Sequence, residues 1–241
     1  MRKFYVTGTD TGAGKTVASV AILHALRASG LRAVGMKPLA SGCEWVDGQW
    51  RNEDALALQQ ASDPAPAYAD VNPYAFRLPL APELAAADAD VRVQLEPIEA
   101  AFQRLRARAD AIVVEGVGGW AAPLSASLDQ CDLVRALDLQ VVLVVGLRLG
   151  CINHARLTAR AVQQDGVHLA GWIASHVDPH MACQQENLEL LQERLQLPCW
   201  GRLPHADPVD PAALALHLQL PQPVGAPHGR DAPAPTKNPA G

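Results

Sequence analysis

The 241-residue sequence lacks the features of a membrane protein and of a protein that binds nucleic acid without regard to sequence. No apolar run approaches the ~18 residues of a membrane-spanning helix. We expect no secretory leader, because no apolar h-region precedes the first strand-like segment. Basic residues number 20 against 25 acidic ones, and this net charge of −5 argues against sequence-independent binding of nucleic acid. Charged residues make up only 19% of the chain and hydrophobic residues 49%, which is typical of a packed globular protein.

The sequence also lacks paired cysteine motifs, which argues against two further classes of protein. The five cysteines are scattered, odd in number and form no Cys-x-x-Cys pair, which argues against a zinc ribbon or a disulfide framework. Nor do His154, His176 and His205 have the spacing of zinc ligands. We therefore expect a reduced, cytoplasmic protein that binds neither a membrane nor a nucleic acid.

The length fits a single α/β domain, which we place at residues 1–220. Residues 221–241 contain six of the 19 prolines and almost no large apolar side chain. A segment of that composition buries too little surface to offset its ordering entropy, so the sequence predicts a disordered tail there.

Strand-like and helix-like segments alternate along the predicted domain. The pattern predicts an irregular excursion at residues 63–92 and a buried strand that ends in Glu115. Continuous apolar strands are buried on both faces, which indicates an α/β doubly wound, mostly parallel sheet flanked by helices. We assign strands to residues 4–7, 31–37, 110–116, 141–146, 167–174 and 198–202, and helices to residues 14–29, 52–61, 96–109, 151–165 and 180–196.

A phosphate-binding loop follows the first strand. Residues 8–16 read GTDTGAGKT, with Gly8, Gly14, Lys15 and Thr16 at the G-x-x-x-x-G-K-[ST] spacing. Glycines let the backbone N–H groups point at phosphate oxygens, and the following helix presents its positive end. In this motif the lysine reaches the outer phosphates and the hydroxyl binds Mg²⁺. The strand before it and the helix after it indicate a P-loop NTPase.

Three acidic residues are candidates for the metal side of this site, because Mg²⁺ prefers carboxylate oxygens. Glu115 follows a buried strand and faces the same sheet edge as the loop. Asp54 is either a ligand or a helix N-terminal acid that complements the dipole. Asp10 is either a turn former or a ligand, and the sequence does not decide between them.

A second lysine, Lys37, ends the second strand and is either an exposed strand-end residue or a phosphate-facing cation. Two cations around a γ-phosphoryl group would suit transfer to an anionic acceptor, because they screen its repulsion from the phosphate. Ser41 either binds a substrate or caps a turn.

The segment at residues 145–154, VGLRLGCINH, joins a buried strand to a helix. Gly150 and Asn153 at the helix start form either a second anion site of backbone donors or an ordinary strand-to-helix connection. Cys151 is a small buried residue rather than a nucleophile, because no acid–base partner is implied for it.

Together these segments resemble the dethiobiotin synthetase family, from residue 3 to about residue 204. The resemblance rests on residues 8–16, on KPLASG at 37–42, on EGVGGWAAPL at 115–124 and on residues 145–154. The last two segments are long and family-specific, whereas the loop alone indicates only an NTPase.

The resemblance implies an ATP- and Mg²⁺-dependent cyclo-ligase of biotin biosynthesis. One amine of 7,8-diaminononanoate captures CO₂ as a carbamate, and the carbamate attacks the γ-phosphate of ATP. The second amine then closes the ureido ring of dethiobiotin and expels phosphate. The family is a homodimer with its site at the subunit interface.

The resemblance also implies residue roles. Lys15, Lys37 and Thr11 serve the reaction, and Thr16, Asp54 and Glu115 surround Mg²⁺. Ser41 binds the substrate, and Cys151, Ile152 and Asn153 of the partner subunit bind its carboxylate. The nucleotide contacts fall on Gly12, Ala13, Gly14, Lys15, Thr16, Val17, Asp54, Glu115, Gly116, Val117, Gly118, Ser175, His176, Pro204, His205 and Ala206.

The sequence departs from the family pattern at three places. Gly12 replaces an acidic or other polar residue, and Ser175 replaces the asparagine that reads the adenine edge. Serine has a shorter reach, so we expect weaker selectivity for the base. Residues 81–83, APE, replace the family's Ser-Pro-His segment and change the contacts of the substrate loop.

Three other functions fit parts of the pattern. A regulatory ATPase of the partition or division-site type shares the sheet and loop, but carries a further lysine near the position of Asp10. A cobyrinate- or cobyric-acid-type amidotransferase needs an extra glutaminase domain, for which about 220 residues leave no room. A catalytically inactive nucleotide-binding protein differs only in lacking turnover.

Overall fold

The computed structural model describes residues 1–206 and 208–221, so the predicted tail lies almost entirely outside the described residues. A six-stranded sheet in the order β10-β9-β8-β1-β7-β2 is its centre, and every pairing in it is parallel. Its strands are β1 (Arg2–Gly8), β2 (Ala33–Met36), β7 (Ala111–Gly119), β8 (Gln140–Gly146), β9 (Leu169–Ser175) and β10 (Cys199–Leu203). The predicted doubly wound α/β fold is confirmed.

Helices cover both faces of the sheet, and the strand residues alternate between them. Phe4 and Val6 pack with α1 (Lys15–Ala28), α2 (Glu53–Ala61) and α9 (Pro211–Leu214). Tyr5 points to the other face. That face is covered by α5 (Leu95–Arg106), α6 (Gln130–Leu137), α7 (Cys151–Gln164) and α8 (Gln184–Leu195). Two apolar cores result, and no helix within the described residues is long and apolar enough to cross a membrane.

The excursion predicted at residues 63–92 contains regular structure: α3 (Tyr68–Val71), β6 (Tyr74–Ala75) and α4 (Pro82–Asp88). Three short strands that were not predicted precede it: β3 (Leu39–Ala40), β4 (Glu44–Val46) and β5 (Gln49–Arg51). The β4–β5 hairpin turns at Asp47 and Gly48, both with positive φ, and Asp-Gly is a common sequence at such a turn.

Two element boundaries and one helix also differ from prediction. Strand β7 continues through Glu115 to Gly119, because Gly119 returns to pair with Gly8 after a register shift. Helix α6 was not predicted, although Asp129 and Asp132 form a capping box at its start. Helix α8 begins at Gln184, four residues later than predicted, since Cys183 has a positive φ of 52°.

Candidate active site

The phosphate-binding loop lies at the carboxyl end of β1, where α1 begins at Lys15. Gly12 and Gly14 have positive φ values of 72° and 89°, a left-handed region that favours glycine. A side chain at Gly14 would also collide with the Ser175 hydroxyl. Gly14 therefore has to be glycine for steric reasons, whereas at Gly12 only the positive φ favours glycine.

Asp10 acts as a turn former in this structure. One of its carboxylate oxygens accepts a hydrogen bond from the Thr11 N–H at 2.7 Å, and the other pairs with Arg148 at 3.0 Å. The Lys15 ammonium lies 3.1 Å from the Asp10 carbonyl oxygen. Burial lowers the pKa of Lys15, and the neighbouring Lys37 lowers it further, although acids nearby oppose both effects.

One cavity of about 830 Å³ opens over the loop. It brings together twelve of the predicted site residues: Thr11, Gly12, Gly14, Lys15, Thr16, Val17, Lys37, Ser41, Asp54, Glu115, Val117 and Gly118. Pro79, Leu80, Ala81 and Pro82 form part of the opposite wall, so the divergent segment at residues 81–83 lies at this cavity.

Four side chains meet at the floor of the cavity. The Thr16 hydroxyl lies 2.7 Å from an Asp54 carboxylate oxygen and 2.9 Å from Oε1 of Glu115. The Lys37 ammonium donates to the same Oε1 at 2.6 Å, to Asp54 at 3.0 Å and to the Gly116 carbonyl at 3.2 Å. Lys37 therefore faces the site and is not an exposed strand-end residue.

The electrostatics of this group favour charged forms. Burial alone would lower the pKa of Lys37, but the Glu115 and Asp54 carboxylates outweigh burial and raise it. Burial alone would raise the pKa of Asp54, yet Lys37 and the Thr16 hydroxyl bring it below its usual value. The site thus keeps a fixed ammonium beside a carboxylate at neutral pH.

The donor set fits a magnesium ion. Oε2 of Glu115 is buried and has no hydrogen-bond partner among the described residues. The Thr16 hydroxyl lies within hydrogen-bonding distance of two carboxylates but has only one hydrogen to donate. At least one carboxylate oxygen therefore faces a lone pair of the hydroxyl oxygen, an arrangement that a cation would stabilise. Among the described residues, no three His, Cys, Asp or Glu side chains are grouped so that they could hold a metal ion by themselves. A hard cation bound here would draw on the Thr16 oxygen and on the Asp54 and Glu115 carboxylates, with water and phosphate oxygens as its other ligands.

The residues expected around the base lie at the carboxyl ends of the neighbouring strands β9 and β10. Ser175 ends β9, is 6% exposed and lies against Gly14 rather than in the cavity lining. The ring of His176 lies 3.1 Å from Gln184, and that of His205 lies 3.2 Å from the His176 carbonyl. Pro204 and Ala206 flank His205, so β9 and β10 bring all five residues to one sheet edge.

The three residues predicted to bind the substrate carboxylate also lie outside the cavity lining. Cys151 is buried at the start of α7, Ile152 is half-buried and Asn153 is exposed. Gly150 before them has a φ of 92°. Of the remaining predicted contacts, Ala13 and Gly116 are buried in the chain just behind the cavity wall.

The wall at residues 116–122 depends on a residue that sequence reasoning missed. The Gln130 amide nitrogen lies 3.1 Å from the Val117 carbonyl, 2.6 Å from that of Gly119 and 3.0 Å from that of Ala122. The buried Tyr5 hydroxyl donates to the Gln130 oxygen. No local pattern marks Gln130, because its role depends on carbonyls presented by another element.

Comparison with known proteins identifies the family. A protein-family model described as an AAA domain matches residues 2–213. A Xanthomonas oryzae protein named ATP-dependent dethiobiotin synthetase BioD is 66% identical over 219 residues, which are 91% of this chain and 98% of that protein. A Xylella fastidiosa protein of the same name is 63% identical over 216 residues, 89% of this chain and 96% of that protein. The chain belongs to the dethiobiotin synthetase family.

Solved structures of other proteins share the fold of this dethiobiotin synthetase family member. A ParA family ATPase from Chlorobium tepidum has a TM-score of 0.53 at 12% identity, over 86% of this chain and 87% of that one. The MinC:MinD cell division complex of Aquifex aeolicus has the same TM-score and identity, over 86% and 82%. At such identities the likeness shows the P-loop fold alone, and family membership rests on the dethiobiotin synthetases.

Proposed function

We propose that the chain closes the ureido ring of dethiobiotin from 7,8-diaminononanoate, CO₂ and MgATP. The observation that carries this proposal is the Lys37 ammonium beside Glu115 and Asp54, in one cavity with the phosphate-binding loop. A cation fixed at that place suits an anionic acceptor attacking a phosphoryl group, because it screens the repulsion between them.

The reaction begins at a carbamate. One amine of the diamine adds to CO₂ and loses a proton, and the resulting carbamate oxygen attacks the γ-phosphorus while ADP leaves. Lys15 and Lys37 stabilise the charge on the acceptor and on the transferring group, and the N–H groups of residues 12–17 hold the phosphates. Thr11 and Ser41 contact the diamine side.

Ring closure needs positioning more than covalent help from the protein. The second amine attacks the carbonyl carbon of the carbamic–phosphoric anhydride, the C–O bond to phosphate breaks, and the amine loses its proton. When bound, Mg²⁺ neutralises phosphate charge, and Thr16, Asp54 and Glu115 would hold it.

We further propose a cytoplasmic homodimer in which the α7 start of the partner binds the carboxylate of the diamine. Support comes from the placement of Cys151, Ile152 and Asn153, which lie outside the cavity of their own chain. The first turn of a helix presents free N–H groups, which suit a carboxylate. The nucleotide base would lie against the edge formed by Ser175, His176 and residues 204–206.

Oxygen labelling tests the order of the steps. With C¹⁸O₂ as substrate in a single turnover, one label should appear in the released phosphate and one in the ureido carbonyl. The labelled phosphate follows because the carbamate oxygen that attacks phosphorus leaves with it. Labelled dethiobiotin accompanied by unlabelled phosphate would contradict the anhydride, and the absence of any dethiobiotin would contradict the proposed function.

A further inference from the structure

Three buried polar side chains connect the segments that carry Lys37, Ser41 and Asp54. They are Asn52, Tyr68 and Asn72, and they are 7%, 8% and 4% exposed. We call them the Asn52–Tyr68–Asn72 network. Asn52 is part of the cavity lining, whereas Tyr68 and Asn72 are not, so the latter two act on the site only through other residues.

At one end, Asn52 fixes the start of α2, which carries Asp54. Its side-chain oxygen accepts from the Ala55 N–H at 3.2 Å and caps the helix. Its amide nitrogen lies 3.5 Å from the Ser41 carbonyl, at the edge of hydrogen-bonding distance. Its backbone N–H donates to the Tyr68 hydroxyl at 2.7 Å. Asp54 and Ser41 therefore share one support.

At the other end, Asn72 fixes the backbone of Lys37. Its amide donates to the Lys37 carbonyl at 2.7 Å and to the Tyr74 carbonyl at 3.0 Å. The Lys37 N–H in turn donates to the Val71 carbonyl at 2.7 Å. Both polar backbone groups of Lys37 are thus held by neighbouring residues of one short segment.

The Tyr68 hydroxyl joins the two ends. It accepts from the Asn52 N–H and donates to the Asn72 side-chain oxygen at 3.1 Å, so it uses one lone pair and its only hydrogen. A phenyl ring here would leave a buried N–H and a buried carbonyl oxygen without partners, and unpartnered buried groups are costly. The hydroxyl therefore couples the position of Asp54 to that of Lys37.

We propose that Tyr68 and Asn72 are positioning residues for phosphoryl transfer. They set the separation between the Lys37 ammonium and the Asp54 carboxylate, which is 3.0 Å in this structure. Asn52, Tyr68 and Asn72 make no direct hydrogen bond to the phosphate-binding loop among the described residues, and they reach it only through Asp54, whose carboxylate contacts Thr16. Loss of the network should therefore impair the chemical step more than nucleotide binding. For its kinetic readout this inference rests on the proposed function.

The Tyr68→Phe variant tests the proposal, because it removes only the hydroxyl and keeps the ring that packs against Arg51. We expect kcat to fall about tenfold and KM for MgATP to stay within about twofold. Tyr74→Phe is the matched control, since the Tyr74 hydroxyl contacts only the exposed backbone of Gln94 in the described structure. It should leave kcat unchanged. An unchanged kcat in Tyr68→Phe, or equal losses in both variants, would overturn the proposal.

A second variant and a second measurement separate this inference from the proposed function. Asn72→Leu should lower kcat like Tyr68→Phe, and the double variant should lose less than the product of the two effects, because both act in one network. In a crystal structure of Tyr68→Phe the Lys37–Asp54 separation should exceed the ~4 Å limit of an ion pair. That distance is measured without turnover, so an unchanged 3.0 Å would overturn the inference whatever reaction the chain performs.

Discussion

At the scale of single residues, Lys37 carries the chemistry of the proposed reaction. It is buried, and its ammonium contacts two carboxylates and one carbonyl oxygen. Such a cation costs free energy to bury and is retained where its charge is used or paired. In the proposed reaction this charge, beside the loop, would stabilise the transferring phosphoryl group.

Replacement of Lys37 should therefore affect the chemical step. Lys37→Ala should lower kcat by about 10²–10³, as loss of a preorganised donor does, and change KM for MgATP by less than about threefold. Steady-state kinetics at saturating diamine measure both constants. Lys3→Ala is the control, because Lys3 pairs with the exposed Asp138 and lies outside the cavity lining. Unchanged turnover in Lys37→Ala would remove this lysine from the mechanism.

A second prediction at this scale concerns Ser175 and the selectivity for the nucleotide base. Its side chain is short, buried and directed at Gly14, so it offers little to a base. Ser175→Asn should sharpen the preference for ATP over other triphosphates, since an amide can both donate to and accept from an adenine edge. The measurement is kcat/KM for ATP, GTP, CTP and UTP in both proteins. Equal selectivity before and after substitution would show that another residue reads the base.

At the scale of elements, strand β7 and its continuation form a wall of the site that depends on helix α6. After Val114 the strand loses its partner β2, and the carbonyls of residues 117–122 turn to Gln130 instead. The Gly116 carbonyl faces Lys37 on the opposite side. The wall is therefore held on one side by the Gln130 amide in the core and on the other by the Lys37 ammonium in the cavity.

Loss of the Gln130 donors should loosen that wall. Gln130→Glu keeps the shape but removes the N–H groups, so the free energy of unfolding should fall by about 1–3 kcal/mol and kcat should fall with it. Denaturant unfolding and steady-state kinetics check the two effects. Gln59→Glu is the control, because Gln59 gives one hydrogen bond to the Pro66 carbonyl away from the cavity. Equal effects of the two substitutions would contradict a special role for Gln130.

The elements also show how far the sequence predicts the site. Residues 8–16 and Lys37 were predictable, because loop and lysine each follow a buried strand and parallel strands end at one edge. The roles of Gln130 and Tyr68 could not be predicted, because their hydrogen-bond partners lie on other elements and no local sequence pattern marks them. The end of β7 was placed too early, since its last pairing depends on a register shift.

At the scale of the whole molecule, the proposed homodimer predicts an outcome for mixed subunits. If Asn153 serves the partner's site, Lys37→Ala and Asn153→Ala subunits form heterodimers with one intact site and one doubly defective site. Random 1:1 co-assembly should then restore about a quarter of wild-type turnover. Two sites each complete within one chain would give no restoration. Light scattering on the wild-type chain establishes whether the dimer forms.

The central claim is that the chain closes a ureido ring at the expense of ATP. The most direct measurement follows ADP release from MgATP and bicarbonate with and without 7,8-diaminononanoate, and dethiobiotin by mass spectrometry. Diamine-dependent ADP release with one dethiobiotin per ADP is the predicted result. Slow ADP release that is indifferent to the diamine would contradict the claim and point to a switch ATPase on the same fold.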